Sequence, residues 1–471
     1  MPSKDNPTTF GAPFAHRTRF LLLVLVTLCL MINWANILTF NFAVICMDPT
    51  TNDTSAPNWG PALSNDMKSQ AMAVVAAGAL VANLPIVSLI NMYGPRHIFT
   101  FVGIFGAAAT AAIPWAMHNG WGWFLFIRVL QGIAFAGDMA TFGSFMNYWT
   151  YYKQNAFFTA TLCVYVQLAP TFTNPVAGLI CDSSVGWPGI YYVHAVVSAI
   201  LFILFFICYR NVPNDHAFVS YSEREKISRG RETGVDYAKR IPYKEIIKSP
   251  EVWAVFIGGI GNFAGINLIF QFAPTYLNKV QGYQVVKTGF YAALPPLCQA
   301  IMKELAGLSN DRIRFIGETL KTKVYNSIAF GSMALFLVIL SFIPANSGST
   351  GLIVMTIGAT LLGFNIGGFY KSGSIIAGPY APLVMGQVST AMTLTMLIVP
   401  LIVNSLTPNN TQWEWALAFY AIAAIMVVMN ILYCLMASGE PCFWAKPEYW
   451  QKIDAEKKDA KKAGVNAVYA A

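Results

Sequence analysis

Residues 21–33 read LLLVLVTLCLMIN, and the apolar run they belong to continues to Cys46 without a charged side chain. About 20 mostly apolar residues in a helix are enough to cross the hydrocarbon core of a bilayer. The run is too long to be the apolar core of a signal peptide, so we expect it to be retained. This stretch therefore predicts a transmembrane helix near the start of the chain.

Eleven further apolar runs follow along the 471 residues, with no polar domain between them. Hydrophobic residues make up 56% of the chain and charged residues 11%, whereas about a quarter of an ordinary soluble domain is charged. This composition excludes a disordered chain, a fibrous protein and a small disulfide-rich secreted domain. It predicts an all-α membrane protein with twelve transmembrane helices, at 20–46, 69–91, 98–117, 122–147, 157–181, 188–209, 252–277, 287–309, 324–344, 351–371, 381–405 and 413–437.

The distribution of basic residues orients these spans. When the loops are assigned alternately to two sides, 24 of the 30 Lys and Arg residues fall on the side that holds both termini. Because Lys and Arg concentrate in cytoplasmic loops, we expect both termini in the cytoplasm. The N-glycosylation sequons at Asn52 and Asn409 fall on the opposite, luminal or extracellular side. The net charge of +8 is thus attributed to membrane topology and not to a nucleic-acid partner.

A polar segment divides the spans into six and six. It carries nine basic and six acidic residues, which is typical of a solvated linker with a short surface helix. Two bundles around a central cavity are the arrangement of many secondary transporters. The predicted units are a cytoplasmic N-terminus (1–19), a six-helix bundle (20–209), a cytoplasmic linker (210–250), a second six-helix bundle (251–437) and a cytoplasmic tail (438–471).

One span carries two ionisable residues at intramembrane positions. A charged group at the centre of a bilayer costs about 3 kcal/mol or more, so such residues are functional candidates by default. The spacing of Arg128, Gln131, Phe135 and Asp138 places them on one face of a helix. We predict that Arg128 and Gln131 bind an anionic substrate or organise a gate, and that Asp138 carries a proton. The alternative is that Arg128 and Asp138 are fixed structural partners of polar residues on other helices.

Two lysines lie near the predicted cytoplasmic ends of spans. Snorkelling of the ammonium group to the interface accounts for both Lys303 and Lys371. Lys371 is also the better candidate for a second cation at a substrate site. Glu304 is a candidate partner for either lysine.

The eight cysteines and five histidines do not form a metal motif, because the histidines are scattered and no CxxC occurs. Most cysteines lie in or beside apolar runs, so we interpret them as small buried residues. A luminal disulfide between Cys46 and Cys181 is the alternative for that pair. No Walker A lysine motif and no nucleophile–base cluster is present, so we predict no cofactor, no ATP-driven pump and no enzyme.

Two motifs resemble signatures of the major facilitator superfamily. Arg128–Gly132 (RVLQG) is similar to its RxxQG motif, and Gly307–Arg314 (GLSNDRIR) to its GxxxDRxGRR loop. Pro175–Ile180 and Gly186–Val193 resemble the end of the fifth and the start of the sixth span in the anion:cation symporter branch. That branch contains the sodium–phosphate cotransporters, sialin and the vesicular glutamate and nucleotide transporters.

This resemblance implies a secondary transporter built from two six-helix bundles. Spans one, five, seven and eight are expected to line the cavity in this superfamily. The resemblance therefore implies a substrate site that includes the amides Asn41, Gln167, Asn262 and Gln271, besides Arg128, Gln131 and Lys371. It also implies that Asp311, Arg312 and Arg96 hold the cytoplasmic side closed.

Several charges of the branch are absent from this chain. Thr39 stands where sialin-like members have an arginine, Phe135 where an acidic residue is usual, and Ile375 where an aspartate is usual. The resemblance therefore implies the fold and a transport role, but not the substrate.

We expect a monomeric transporter in the plasma membrane or in a vesicular or lysosomal membrane. We expect it to transport a small organic or inorganic anion together with a proton or sodium. The alternatives are an uncoupled facilitator and a non-transporting sensor or scaffold.

Overall fold

A computed structural model describes residues 17–47, 63–151, 154–228, 241–313 and 315–462. Within these ranges the regular secondary structure is helical, and the predicted glycosylation site Asn52 lies outside them. The α-helices are α1 (Thr18–Met47), α2 (Asn65–Tyr93), α3 (Pro95–Asn119), α4 (Trp121–Phe135), α5 (Asp138–Trp149), α6 (Asn155–Cys163), α7 (Tyr165–Cys181), α8 (Trp187–Cys208), α9 (Tyr221–Ser228), α10 (Tyr243–Lys248), α11 (Pro250–Lys279), α12 (Val285–Arg312), α13 (Glu318–Ser341), α14 (Ser349–Leu362), α15 (Phe369–Ala377), α16 (Ala381–Leu406), α17 (Gln412–Met436) and α18 (Pro447–Lys462).

Among the residues that the structure describes, ten helical segments are long and apolar enough to cross a membrane. Two of these segments, Trp121–Trp149 and Ser349–Tyr380, each combine two shorter helices. The remaining predicted spans, 157–181 and 287–309, coincide with α6 plus α7 and with α12. The first of them is divided into two short helices and the second contains several charged residues, so a count of twelve stays a prediction.

The paired prolines of α12 do not break it. Pro295 and Pro296 both lie inside α12, which is continuous from Val285 to Arg312. A proline inside a helix removes one backbone donor and displaces a carbonyl, and neighbouring helices in a membrane can satisfy the freed groups. In this chain α7 and α14 pack against α12.

The helices pack in two groups that follow the order of the chain. In the first half, α1 packs on α7 and α8, and α4 packs on α2 and α3. In the second half, α17 packs on α11 and α13, and α12 and α13 pack on α14. The halves meet where α7 contacts α12, α2 contacts α16, and α1 contacts α11. We call this contact region the seam.

Many large apolar side chains point away from both groups. Val81, Leu84 and Phe101 are each more than two-thirds exposed, as is Leu435 in the second half. Exposed apolar surface of this extent is unfavourable in water and marks a surface that another apolar phase covers. It is the outer surface expected of helices that stand in lipid.

A disulfide joins the ends of α1 and α7, with the Cα atoms of Cys46 and Cys181 6.0 Å apart. Our interpretation of these two cysteines as small buried residues is therefore wrong, and the disulfide between them is confirmed, while its luminal placement stays a prediction. The sequence separation of 135 residues gave no indication of contact, which arises because α1 and α7 pack side by side. The other six cysteines are free. We call this end of the molecule the disulfide end.

The opposite end, where α8 ends and α11 begins, is called the linker end. There the Glu223 carboxylate of α9 accepts hydrogen bonds from the backbone N–H groups of Thr18 (3.3 Å) and Arg19 (3.1 Å). These are unpaired donors of the first turn of α1, so Glu223 caps that helix from the linker. The predicted solvated linker thus contains a buried carboxylate, because α9 docks on the first half.

His216 adds to this docking. Its ring contacts the backbone carbonyl of Cys208 at 2.9 Å and meets the Trp149 ring edge-on. Burial lowers the pKa of the His216 imidazole, which favours its neutral form. The start of the linker is therefore held against α5 and α8.

Candidate functional site

In the described part of the chain, three long helical segments are interrupted within their length. α4 and α5 are separated at 136–137, α6 and α7 at Val164, and α14 and α15 by a 3₁₀ turn at Gly363–Gly367 and by Gly368. In secondary transporters, irregular backbone at mid-membrane depth occurs where it lines a cavity or is buried in protein. Asp138, Gln167 and Lys371 each follow shortly after one of these interruptions.

Arg128 is fully buried and holds three helices of the first half together. Its Nε donates to the Ala71 carbonyl of α2 at 3.1 Å, and its NH1 group donates to the Ile37 carbonyl of α1 at 3.3 Å. The same NH1 group donates to Gln131 Oε1 at 2.8 Å, and the guanidinium lies 5.0 Å from the centre of the Phe40 ring. Backbone carbonyls and one amide therefore surround this cation.

Gln131 extends the same network. Its Nε2 donates to the Asn36 carbonyl of α1 at 3.3 Å and to Thr110 Oγ1 of α3 at 2.9 Å. Both ends of the amide are therefore bonded within the first half. This geometry favours a structural role for Arg128 and Gln131, in which they position α1 and α4.

The two remaining residues of the predicted face also contact α1. The Phe135 ring packs on Trp34, with centroids 5.3 Å apart. Asp138 is the first residue of α5 and is fully buried. Its Oδ1 accepts a hydrogen bond from Asn33 Nδ2 at 2.7 Å, while Oδ2 is buried without a hydrogen-bond partner among the described residues. A carboxyl group with one oxygen bonded and the other unbonded can accommodate a proton.

Amides from both halves meet at the seam. The Gln167 amide of α7 and the Gln299 amide of α12 lie 3.1 Å apart. Both residues are fully buried, and each is near the middle of its segment. One terminal atom of the Gln299 amide has no hydrogen-bond partner among the described residues.

Lys303 lies one helical turn beyond Gln299, on the same face of α12. The Gln167 amide is best oriented with its oxygen towards Lys303 and accepts from the Nζ ammonium at 2.8 Å, because the reverse orientation would place two donors against each other. The ammonium also lies 5.6 Å from the centre of the Tyr370 ring of α15. The side chain is only 4% exposed.

The predicted snorkelling of Lys303 is therefore wrong, because its ammonium turns into the seam and not to the interface. The i, i+4 spacing of Gln299 and Lys303 was the signal in the sequence that could have placed them together. Glu304, a suggested partner, is exposed on a different face of α12.

Polar residues of α11 form two small clusters in the second half. Asn262 Oδ1 accepts a hydrogen bond from Asn365 of the 3₁₀ turn, and its Nδ2 has no partner among the described residues. Gln271 Nε2 donates to Asn267 Oδ1 at 2.8 Å, and Asn267 donates to Thr395 Oγ1 of α16 at 3.0 Å. The predicted site residues Asn262 and Gln271 thus lie in internal networks that retain hydrogen-bonding capacity.

Asn41 of α1 is 3% exposed, and neither atom of its amide has a hydrogen-bond partner among the described residues. The hydroxyl groups of Tyr165 and Thr173 on α7 share this property. Buried polar groups are normally bonded, so each of these atoms needs an explanation. They lie on two of the helices that form the seam.

Lys371 does not reach the seam amides. It forms an ion pair with Glu318 of α13 at 3.0 Å and donates to Asn310 of α12. Lys321 pairs with the same carboxylate at 2.6 Å. These contacts place Lys371 at the linker end of the second half, in a cluster with two ammonium groups and one carboxylate.

The predicted gate residues also lie at the linker end. Arg96 donates to the Phe206 carbonyl at 3.1 Å and stacks on the Phe206 ring, within the first half. Arg312 is exposed at the end of α12, and the Asp311 side chain lies outside the described part. At the disulfide end, the predicted glycosylation site Asn409 is exposed and its amide donates to Glu414 at 2.9 Å.

The halves are in close contact at the disulfide end. The Asn174 amide of α7 donates to the Ala292 carbonyl of α12 at 3.3 Å, and the Asn65 amide of α2 donates to the Pro408 carbonyl beyond α16 at 2.8 Å. A Cβ added at Gly178 of α7 would lie 3.3 Å from the Gly289 Cα of α12. The pair of glycines therefore allows two backbones to touch, and the seam is closed here.

A groove with a volume of about 440 Å³ lies at the linker end of the second half. It is lined mostly by apolar side chains of α12 and α13, among them Leu305, Ile313 and Ile328. None of the predicted substrate residues lines it, so we place the candidate site at the seam.

Comparisons with known sequences identify related proteins. The Major Facilitator Superfamily profile matches residues 23–377. Human sialin is 28% identical over 375 residues, which cover 78% of this chain and 74% of sialin. Vesicular glutamate transporter 3 of Danio rerio is 26% identical over 79% of this chain and 64% of that protein. Human sodium-dependent phosphate transport protein 1 is 27% identical over 84% of each chain.

Solved structures share the fold. A bacterial homolog of the human lysosomal transporter Spinster, in an inward-facing and occupied conformation, has a TM-score of 0.65 at 13% identity, covering 89% of this chain and 96% of that one. The D-xylose–proton symporter has a TM-score of 0.65 at 13% identity, covering 86% and 97%. The sequence relatives come from the branch that the motif order indicated, and they are transporters and not enzymes. The chain is thus an integral multi-pass membrane protein.

Proposed function

Because the chain belongs to the major facilitator superfamily, we propose that it is a secondary transporter that moves a small organic or inorganic anion across a membrane by alternating access. Its relatives include a sodium-dependent phosphate transport protein and a vesicular glutamate transporter, which supports an anionic substrate. The expected location is the plasma membrane or a vesicular or lysosomal membrane.

The observation that carries this proposal is the contact between Gln167 and Gln299 across the seam, 3.1 Å apart at mid-depth. Burial of amides and hydroxyls with unused hydrogen-bonding capacity is costly in a purely structural interface. It is expected where a polar solute passes. Asn41, Asn262 and Gln271 would contribute to the same passage from α1 and α11.

We propose that the linker end faces the cytoplasm and the disulfide end faces the lumen or the exterior. The excess of Lys and Arg on the linker side supports this orientation. A disulfide at the opposite end agrees with it, because disulfides persist in oxidising compartments. In this arrangement α4 with α5, α6 with α7, and α14 with α15 each make one span, which gives twelve spans.

In this proposal the halves rock about the seam. The contact of Gly178 with Gly289 closes the luminal side, and it must separate when the site opens to that side. At the cytoplasmic end, Asp311, Arg312 and Arg96 would stabilise the opposite state.

Arg128 and Gln131 would hold α1 and α4 in position beside the passage. Lys371 is expected to act at the cytoplasmic mouth, where it lies with Glu318 and Asn310.

The coupling ion is proposed to be a proton carried by Asp138, with sodium as the alternative. Support comes from the unpaired Oδ2 of this buried carboxyl group. Among the described residues of helices α1 to α5, Asp138 is the one buried acidic side chain. A proton bound to Oδ2 would neutralise its charge.

Flux measurements in proteoliposomes test the function. The purified protein is reconstituted, and uptake of labelled phosphate, urate, sialic acid, glutamate and ATP is measured with and without pH and sodium gradients. Protein-free liposomes are the control. We expect saturable uptake of at least one anion that a gradient drives above equilibrium. Uptake that only equilibrates would identify an uncoupled facilitator, and no uptake of any anion would contradict transport and favour a sensor or scaffold.

A further inference from the structure

Lys303 is an ammonium group at the seam that lacks a carboxylate partner. Its described contacts are the Gln167 amide oxygen at 2.8 Å and the face of Tyr370, and no Asp or Glu among the described residues lies within ion-pair distance. Its side chain is 4% exposed. The group thus meets atoms from α7 of the first half and α15 of the second half, and it belongs to the interface and not to one bundle.

A buried cation with neutral partners is unfavourable unless an anion compensates it. Removal of an ionised group from water is strongly unfavourable, and a single amide oxygen and a ring face offset only part of this penalty. An anion between the halves would supply the missing charge. Gln299 lies one turn away on the same face of α12, and one of its amide atoms has no partner among the described residues.

The other cations that the described residues bury are Arg19, Arg128 and Lys321, and each has protein partners. Arg19, at the linker end, donates to Gln154 Oε1 at 3.0 Å. The Arg128 guanidinium bonds to carbonyl oxygens of its own half and to Gln131, and Lys321 and Lys371 share the Glu318 carboxylate. The polar side chains that meet beside it at the seam, Gln167 and Gln299, are neutral amides. Among the described residues, Lys303 is therefore the buried cation at the seam that has no carboxylate partner.

We propose that Lys303 binds the negative group of the transported solute and that its single charge makes the site selective for monoanions over dianions. The inference rests on the proposed function and specifies its substrate class. The neutral amides of Gln167 and Gln299 contact the uncharged part of the solute. A dianion would leave one negative charge buried against these amides without a counter-ion, which the low-dielectric seam disfavours.

A binding assay that does not depend on transport tests this inference. The thermal unfolding temperature of the purified protein in detergent is measured against increasing lactate, gluconate and N-acetylneuraminate as monoanions, and sulfate and succinate as dianions. Variants Lys303→Gln and Lys303→Arg are compared with Lys287→Gln, whose lysine is exposed at the start of the same helix. Size-exclusion chromatography confirms that each variant is folded.

We expect at least one monoanion to stabilise the wild-type protein at a tenfold lower concentration than either dianion. Lys303→Gln should weaken that monoanion at least tenfold, Lys303→Arg should weaken it much less, and Lys287→Gln should leave it unchanged. Unchanged binding in Lys303→Gln, equal or better binding of dianions, or no stabilisation by any monoanion would overturn the inference.

The assay separates this inference from the function itself. If the wild type takes up an anion and Lys303→Gln binds the monoanion with unaltered affinity, the transporter proposal holds, and Lys303 does not bind the solute. Anion binding that depends on Lys303, combined with no flux of any anion, would support Lys303 as the anion ligand and contradict the transporter proposal.

Discussion

Asn33 of α1 donates a hydrogen bond of 2.7 Å to Asp138, the first residue of α5, where the segment from α4 to α5 is interrupted. The pair links α1, one of the helices that contact the second half, to the start of α5. Changes in the protonation of Asp138 would therefore act directly on the packing of α1. This relationship makes Asp138 the best candidate for coupling transport to a proton gradient.

Replacement of Asp138 by Asn should abolish the dependence of uptake on pH. The amide keeps a hydrogen-bonding partner for Asn33 but cannot bind and release a proton. Uptake into proteoliposomes is measured over a series of external pH values, with Asp182→Asn as the control because Asp182 is exposed beyond α7. If Asp138→Asn retains the wild-type pH profile, Asp138 is a fixed partner of Asn33 and the proton role is excluded.

Replacement of Arg128 by Lys should lower stability more than it lowers anion affinity. The planar guanidinium bonds at once to α1, α2 and Gln131, and an ammonium group cannot reproduce that geometry. The loss of one or two buried hydrogen bonds should cost about 2 kcal/mol, measured as a lower unfolding temperature in detergent. Arg312→Lys, an exchange at an exposed arginine, should have no such effect. A variant with wild-type stability and lost anion binding would instead make Arg128 a direct substrate ligand.

Replacement of Glu223 by Ala should loosen the linker from α1. The carboxylate accepts two backbone N–H groups of the first turn of α1, and loss of such a cap typically costs about 1 kcal/mol. We expect a lower unfolding temperature and faster tryptic cleavage in the linker. Glu223→Gln should have a smaller effect, and Glu448→Ala, at an exposed position on α18 outside the linker, should have none. Unaltered proteolysis in Glu223→Ala would show that α9 is held by its other contacts.

The apolar runs predicted the long helices well, because a membrane demands about 20 apolar residues in a row whatever the tertiary structure. The face of Arg128, Gln131, Phe135 and Asp138 was also predicted correctly, since all four contact α1. Helical periodicity depends only on spacing, and the break at 136–137 is short enough to preserve the face.

The features that the sequence did not predict all depend on which helices become neighbours. Like a snorkelling lysine, Lys303 lies near the predicted cytoplasmic end of a span. Its ammonium stays in the seam because α7 and α15 pack next to it, and the sequence does not show that packing. Cys46 and Cys181 meet because α1 and α7 pack together, and pairing cannot be deduced from spacing alone. Glu223 appeared solvated because its partners are backbone groups 204 and 205 residues away.

The disulfide gives a test of membrane orientation. If the disulfide end is luminal or extracellular, Cys46 and Cys181 should react with a membrane-impermeant maleimide only after reduction and only from that side of sealed vesicles. Cys208 is exposed at the linker end and should react from the opposite side without reduction. Single-cysteine variants and mass spectrometry identify the labelled residue. Labelling of Cys208 and of the reduced pair from the same side would contradict the proposed topology.

Replacement of Gly178 by Leu should prevent the luminal side from closing. Any side chain at this position meets the backbone of α12, because the added Cβ would lie 3.3 Å from both the Gly289 Cα and the Val285 carbonyl oxygen. Backbone atoms cannot turn aside as a flexible side chain can, so α7 and α12 must separate. Since alternating access requires this end to close in each cycle, uptake should fall at least tenfold. Labelling of a cysteine placed at Asn174, which bonds across the seam, should rise from the luminal side. Gly331→Leu is the matched control, because Gly331 is exposed on α13 with open space around it. A Gly178→Leu variant that transports normally would show that the halves do not need this contact, and the seam would have to open and close elsewhere.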